Sequence, residues 1–405
     1  MKRPEIVNFL AILNEEFLTI RASITMAKSK LQSTPLQSLQ SLNPLNSLSA
    51  LHALDVLEEL DPLNIEEKIF TPSFPIAAFR QLSSHHFVLK LFFNVNDQEY
   101  FGRSFDSDSF GNFFIKIPRA TISALFDPNN LNIINLFETR TRRGLELNLG
   151  TYFPIKIETA KKIVICDFDK TLVDTRYSTT KEVYRSLTKP LATFPTVIQS
   201  VQILKASIKD GFHPFILSAS PHFYEGAIRD WLYQNHIYTA GIFLKDYRQV
   251  FSLFEGDLTT KDIKKQGLYK LTHLLDILSM TGVPDELILM GDNFESDPVI
   301  YLTLLQIILD LHDPWFIWKN LSEFDAFKMS SKQNSLILSK IYQLSNAVRG
   351  KKRNNPHDEP CKIKIYIRKK IHQEEFYIKE SLAHLKSFIT LYEGQGPPPN
   401  ENITS

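Results

Sequence analysis

The sequence predicts an α/β protein whose parallel sheet is preceded by a small β-sandwich domain and a helical N-terminal segment. After about residue 160, short uninterrupted apolar runs alternate with amphipathic stretches, as in parallel strands buried on both faces and covered by helices. Before that point, Phe- and Val-rich runs are separated by turn residues, which is typical of a β-sandwich.

Residues 1–70 are predicted to form a helix followed by a low-complexity connector. Apolar residues from Ile6 to Ile24 recur at steps of three and four, which places them on one helical face. From Leu36 to Leu63 a leucine stands at every third position. An α-helix would spread that repeat around its axis, so we expect a connector with one short helix near Ser47–Leu60.

Residues 71–159 are predicted to form the β-sandwich. Its expected strands are His86–Val95, Gln98–Phe105, Asn112–Ile117, Leu131–Phe137 and Glu146–Phe153.

Residues 160–392 are predicted to form the α/β domain, and residues 393–405 a disordered tail. The expected strands are Ile163–Cys166, Pro214–Leu217, Gly241–Leu244, Leu287–Met290 and Lys362–Arg368. The expected helices are Pro221–Gln234, Gly267–Met280, Asp297–Ile308 and a closing helix over Glu374–Tyr392.

Composition excludes several classes of protein. The 405 residues carry 46 Lys and Arg against 45 Asp and Glu, which argues against a globally basic nucleic-acid binder. Two cysteines exclude a disulfide framework and a Cys-rich zinc site. No apolar stretch is long enough for a membrane-spanning helix, so we expect a water-soluble, cytoplasmic protein.

Polar groups follow three of the predicted strands. Asp167 and Asp169 follow the first strand, Ser218 ends the second, and Asp292 and Asp297 follow the fourth. The carboxyl ends of parallel strands meet at one edge of the sheet, so we expect these side chains to converge.

Phosphoryl transfer fits this set of groups. Asp167 could attack phosphorus to form an aspartyl-phosphate, and Asp169 could act as general acid and base. Four carboxylates, Asp167, Asp169, Asp292 and Asp297, suit Mg²⁺, which prefers hard oxygen ligands. Ser218 offers a hydroxyl, and Ser220 with Pro221 predicts a helix start with free N–H groups.

Lys270 is favoured as the cation that stabilises the transferring phosphoryl group. It begins the apolar face of the helix before the fourth strand. Three other lysines, Lys261, Lys264 and Lys265, lie close by in the sequence.

These motifs together resemble the haloacid dehalogenase superfamily of phosphatases. They are Asp167-x-Asp169-x-Thr171 (a DxDxT motif), Ser218, Lys270 and Gly291-Asp292-x₄-Asp297. The finer resemblance is to the catalytic domain of the actin-patch-protein type of phosphatidate phosphatase, whose motifs match Ser218-Ala219-Ser220-Pro221 and Asp297-Pro298 followed by Tyr301.

The resemblance implies a sheet of the haloacid dehalogenase type with a small cap, Mg²⁺ dependence and a phosphoester substrate. It also implies that Thr171, Ser218, Ala219 and Lys270 contact the substrate phosphate. The chain departs from the family at Lys170, where an acid is usual, and in a longer segment from about Leu311 to Pro360.

The favoured substrate is phosphatidate or a similar lipid phosphomonoester. The alternatives are a soluble phosphomonoester or phosphoprotein with the same chemistry, or a module that binds phosphatidate without catalysis. A basic cluster could contact anionic membranes peripherally or be an ordinary solvated surface. It comprises Arg349, Lys351, Lys352, Arg353, Lys362, Lys364, Arg368, Lys369 and Lys370.

Overall fold

The computed structural model describes fifteen parts of the chain. They are residues 2–28, 86–139, 146–157, 161–175, 191–221, 224–238, 241–245, 266–293, 296–324, 327, 331–354, 357, 359–369, 378 and 380–394. The leucine repeat and its short helix, the three alternative lysines and nearly all of the expected tail lie outside the described residues.

A six-stranded sheet, parallel throughout, forms the centre of the α/β part. Its strands in spatial order are β11 (Gly241–Lys245), β10 (His213–Pro221), β9 (Lys162–Asp167), β12 (Glu286–Asp292), β13 (Lys362–Arg368) and β14 (Ile389–Tyr392). Along the chain, β10 and β11 follow β9 toward one edge of the sheet, and β12 then pairs with the other side of β9. The strand order therefore reverses between β9 and β12, the position where open α/β sheets form ligand sites.

Helices cover both faces of this sheet. One face packs against α2 (Ile198–Lys209) and α3 (Glu225–Gln234). The other packs against four helices, α4 (Gln266–Thr281), α5 (Asp297–Ile308), α6 (Pro314–Ser322) and α7 (Ser331–Asn354). The alternate sides of β9 enter the two cores, which explains why its sequence is continuously apolar.

The predicted N-terminal helix is wrong. Residues 2–28 form an antiparallel hairpin of β1 (Lys2–Leu13) and β2 (Phe17–Lys28), and the Asn14 side chain accepts backbone N–H bonds in its turn. Leu10 and Ile12 enter the core of the α/β part, whereas Ala11 and Leu13 enter the core of the β-rich part. Because both faces of β1 are buried, its apolar residues lack the alternation that marks a half-buried strand.

The β-rich part contains two four-stranded sheets that share one hydrophobic core. The first has the order β5 (Asn112–Pro118), β2, β1, β8 (Ile155–Lys156). The second has the order β4 (Gln98–Asp106), β3 (Val88–Val95), β6 (Ile133–Glu138), β7 (Leu147–Tyr152), and a short helix, α1 (Arg119–Ser123), follows β5. The five strands predicted in residues 86–153 are confirmed as β3 to β7. The hairpin of residues 2–28 belongs to the first of these sheets, which the sequence did not indicate.

The predicted closing helix is also wrong over its described residues. The chain forms a single helical turn, α8 (Glu380–Ala383), and then β14, which pairs with β13 at the edge of the sheet. Ile389 and Thr390 are β-branched, and the backbone hydrogen bonds of this open edge favour a strand there. The five strands and the other three helices predicted for the α/β part are confirmed, although the first of those helices begins at Glu225.

None of the helices among the described residues is both long enough and apolar enough to cross a membrane.

Candidate active site

The carboxyl ends of three adjacent strands bring the predicted acids and hydroxyl together. Asp167 is the last residue of β9, Asp292 is the last of β12, and Ser218 lies in β10. Leu217 pairs with Asp167 in the register of the sheet, so Ser218 lies immediately beyond it. This is the edge at which the order of the strands reverses.

Three of the four acids predicted to bind a metal form one buried cluster. Asp167, Asp292 and Asp297 each place a carboxylate oxygen within 4.8 Å of the others. Lys270 Nζ lies 3.0 Å from Asp167 Oδ1 and 2.6 Å from Asp297 Oδ1. All four side chains are at most 1% exposed, so their charges interact with little screening by water.

The cluster has the donors and the charge to hold a divalent cation. Three carboxylates and one ammonium group leave a formal charge of −2 in a space closed to solvent. Burial of uncompensated charge is costly, and a doubly charged cation would balance it. The donors are all carboxylate oxygens, which are hard ligands of the kind that suit Mg²⁺. The residues present therefore fit the metal that the sequence predicts.

Asp169, the fourth acid, lies outside that cluster. Its Oδ2 accepts hydrogen bonds from Ser218 Oγ at 2.6 Å and from Ser220 Oγ at 3.3 Å, and its Oδ1 accepts one from Thr175 Oγ1 at 3.4 Å. Strand alternation predicts Asp169 beside Asp167, but β9 ends at Asp167 and Lys170 has a positive φ of 60°. The Asp169 carboxylate is directed to Ser218 instead.

The two remaining residues predicted to contact the phosphate are Thr171, which is hydrogen-bonded to Asp167, and Ala219, which is next to Ser218. Thr171 is fully buried, and its hydroxyl donates to Asp167 Oδ2 at 3.3 Å. Ala219 follows Ser218 in β10 and is half-buried. The predicted helix start at Ser220 and Pro221 is wrong, because β10 continues to Pro221 and α3 begins only at Glu225.

A glycine allows α5 to approach the end of β12. A Cβ atom at Gly291 would lie 2.5 Å from Asp297 Oδ2 and 2.7 Å from Tyr301 Cε2. The same approach lets the backbone N–H of Asp292 donate to Asp297 Oδ2 at 3.2 Å and lets Tyr301 OH donate to Met290 O at 2.8 Å. Burial raises the pKa of Tyr301, so its hydroxyl keeps the proton that it donates.

Two residues at this edge have roles that the sequence did not indicate. Arg368, at the end of β13, donates from Nη1 to the carbonyl of Lys170 and lies 3.3 Å from Asp174 Oδ1. Tyr269 donates to the carbonyls of Ser218 and Phe243 at 2.7 and 2.9 Å. The sequence places Arg368 in a basic cluster expected at the surface, although the residue is only 7% exposed. For Tyr269, the only signal was its position next to Lys270.

Comparison with known proteins supports a phosphatase at this site. Residues 162–308 match the sequence model of the family described as "Phosphatidate phosphatase APP1, catalytic domain". No curated protein matches the chain in sequence. Among solved structures, the β-glucuronidase of Parabacteroides merdae is similar at 10% identity and a TM-score of 0.24. That match covers 90% of this chain and 33% of the glucuronidase chain.

The family match begins with β9 and ends with α5, so it contains every acid of the buried cluster as well as Ser218 and Lys270. Residues 162–308 are therefore similar to a phosphatidate phosphatase catalytic domain, and the predicted enzyme class, a phosphatase, is confirmed.

Proposed function

We propose that the chain is a Mg²⁺-dependent phosphatase of the haloacid dehalogenase type that acts on phosphatidate or a similar lipid phosphomonoester. The observation that carries this proposal is the arrangement at the sheet edge. A buried Asp167 contacts Lys270 at 3.0 Å, and at the same sheet edge Ser218 Oγ donates a hydrogen bond of 2.6 Å to Asp169. A nucleophile and a group able to transfer protons are thus both available at one site.

In the first step, a carboxylate oxygen of Asp167 attacks the phosphorus atom of the substrate. The bond from phosphorus to the ester oxygen breaks, and its electron pair stays on the leaving oxygen. Asp169, protonated for this step, gives its proton to that oxygen, so the alcohol leaves neutral. Asp167 then carries the phosphoryl group as an aspartyl-phosphate.

In the second step, water attacks the same phosphorus atom and gives a proton to Asp169. The bond between phosphorus and Asp167 breaks, and its electrons restore the carboxylate. Inorganic phosphate leaves, and Asp169 is protonated again for the next cycle. Lys270 stays beside Asp167 throughout, where its fixed charge stabilises the negative charge on the phosphoryl oxygens.

Asp167, Asp292 and Asp297 would hold the Mg²⁺ ion, which supplies positive charge next to the phosphoryl oxygens when bound. Ser218 would contact the phosphate through its hydroxyl, which donates to Asp169 in the present structure. Thr171 and Ala219 would complete the phosphate contacts.

The lipid substrate rests on the family match over residues 162–308. Two alternatives stay open: the same chemistry on a soluble phosphomonoester or a phosphoprotein, and a module that binds phosphatidate without hydrolysing it. Peripheral contact with membranes belongs to the same proposal. Several residues of the basic cluster are paired with acids, for example Arg349 with Asp310 and Lys362 with Glu359, which lowers the charge available to anionic lipids.

The test is release of inorganic phosphate from vesicles that contain phosphatidate, compared with soluble phosphomonoesters. We expect activity on the vesicles with Mg²⁺, loss of that activity in EDTA, and recovery when Mg²⁺ is added back. Asp167→Asn should lower turnover at least about 10³-fold because the nucleophile is lost. Asp310→Asn is the matched control. This aspartate forms an ion pair with Arg349, with 2.9 Å between Oδ1 and Nε, and lies away from the site.

Each alternative has its own outcome. Hydrolysis of soluble esters alone would show that the substrate is a soluble phosphomonoester and not a lipid. Binding of phosphatidate vesicles without hydrolysis would favour the non-catalytic module. Full activity of Asp167→Asn, or of wild-type protein freed of metal, would contradict the mechanism.

A further inference from the structure

We propose that Tyr269 is a positioning residue for Ser218. This inference rests on the proposed function, because it takes Ser218 to be the hydroxyl that contacts the substrate phosphate. Tyr269 itself lies behind the site and acts through the backbone of β10.

The hydroxyl of Tyr269 joins α4 to two neighbouring strands. It lies 2.7 Å from the carbonyl oxygen of Ser218 in β10 and 2.9 Å from that of Phe243 in β11. A single O–H group shared between two acceptors forms a three-centre hydrogen bond. Lys270, the next residue, extends to Asp167 and Asp297, so adjacent residues of α4 hold both the acid cluster and the Ser218 strand.

The bond to Ser218 falls where the ladder between β10 and β11 becomes irregular. The register is regular as far as Ser218 opposite Leu244, and the next paired residues are Pro221 and Lys245. Two residues of β10, Ala219 and Ser220, thus have no counterpart in the register. A buried carbonyl needs a donor, and at this irregularity Tyr269 supplies one.

The position of the Ser218 hydroxyl depends on the peptide group whose carbonyl Tyr269 binds. Ser218 Oγ donates to Asp169 Oδ2 at 2.6 Å and accepts from the N–H of Ser220 at 3.0 Å. Both hydrogen bonds are directional, so a small movement of the Ser218 backbone would lengthen the short one. Tyr269 therefore fixes Ser218, the last residue in regular register before Ala219 and Ser220 in the irregular end of β10.

The aromatic ring of Tyr269 is held independently of its hydroxyl. It packs edge-to-face against His273, with ring centroids 4.4 Å apart. The centroids of the His273 and Phe243 rings are 5.5 Å apart. Burial lowers the pKa of His273 well below its usual value, so this packing partner is neutral. Tyr269→Phe should thus keep the packing and remove only the hydroxyl.

The experiment is a double-mutant cycle with Tyr269→Phe and Ser218→Ala, assayed by phosphate release. We expect Tyr269→Phe to lower kcat/KM about tenfold, chiefly through kcat, because a misplaced phosphate contact acts on the transition state. In the Ser218→Ala background the same substitution should change kcat/KM by less than about twofold. Tyr152→Phe is the matched control, since this hydroxyl also donates to a carbonyl, that of Leu149 at 3.4 Å, in the β-rich part.

A general structural role for Tyr269 would produce a different result. The tenfold loss would then persist in the Ser218→Ala background, and this outcome would overturn the proposal.

Crystal structures of the wild type and Tyr269→Phe provide a measurement that does not depend on activity. We expect the distance from Ser218 Oγ to Asp169 Oδ2 to lengthen beyond the usual hydrogen-bond range of about 3 Å in the variant. An unchanged distance of 2.6 Å would refute the role of Tyr269. An inactive wild-type protein would instead refute the proposed function, and the crystal structures would still decide the positioning role.

Discussion

Replacing Lys270 with methionine should strongly destabilise the α/β part. Its ammonium group lies 3.0 Å from Asp167 and 2.6 Å from Asp297, and all three side chains are buried. At an effective dielectric constant of about 20, these two contacts correspond to gross attractions of about 5.5 and 6.4 kcal/mol. The desolvation of the three charges offsets much of that attraction.

The net effect follows from what the substitution leaves behind. Methionine fills a similar volume, but Asp167, Asp292 and Asp297 would then be a cluster of three buried carboxylates without their lysine. Breaking a buried ion pair from one side typically costs about 3–5 kcal/mol. For a domain of about 150–250 residues this corresponds to a fall in Tm of about 6–20 °C.

The measurement is thermal unfolding followed by circular dichroism in metal-free buffer, with phosphate release measured in parallel. Lys340→Met is the matched control, because Lys340 pairs with Asp276 at a partly exposed position. That pair should contribute only about 0–1 kcal/mol. Equal falls in Tm for the two variants would refute the reasoning that burial makes the Lys270 contacts costly to break.

Two further predictions concern other parts of the site and its surroundings. Arg368→Met should lower the free energy of unfolding by about 1–3 kcal/mol, seen as a lower Tm, and should reduce kcat/KM, because the carbonyl of Lys170 and the Asp174 carboxylate lose their contacts with the guanidinium group. Arg349→Met, which removes a more exposed ion pair, is the control in the same assays. Equal losses in the two variants would contradict the prediction. Burial raises the pKa of Glu225, so the folded protein binds a proton at this carboxyl more tightly than the unfolded chain does. The free energy of unfolding that this proton contributes is complete below pH 4.5 and is lost as the pH rises through the raised pKa. Glu225→Gln should therefore gain in Tm relative to the wild type as the pH is raised from about 4.5 to 8, and a constant difference across that range would contradict the assigned pKa direction.

The sequence predicts those elements whose burial leaves one clear pattern. The strands β9 to β12 are continuously apolar because both their faces are covered, and α4 carries helical apolar spacing over more than four turns. In β2, Leu18, Ile20, Ala22 and Ile24 do alternate, but the two-sided burial of β1 beside them obscured the strand period. Tertiary contacts of this kind are not encoded in local spacing.

The site shows the same limit. Residue type and position after a strand indicated Asp167, Asp292 and Asp297. Lys270 was indicated by its place at the start of the apolar face of a helix, and the structure brings these four residues together. The direction of the Asp169 side chain depends on where β9 ends, which spacing alone cannot fix within two residues. Tyr269 acts through backbone carbonyls of distant strands, and no motif records such contacts.

The shared strand β1 has a consequence for how the protein can be divided. Leu10 and Ile12 fill part of the core that also contains Phe215 and Phe243, so a fragment that began at residue 160 would expose those aromatic rings to water. The sequence would suggest such a fragment as a natural catalytic unit for expression. The packing instead makes β1 an integral part of the enzyme, although more than a hundred residues of intervening chain separate it from residue 160.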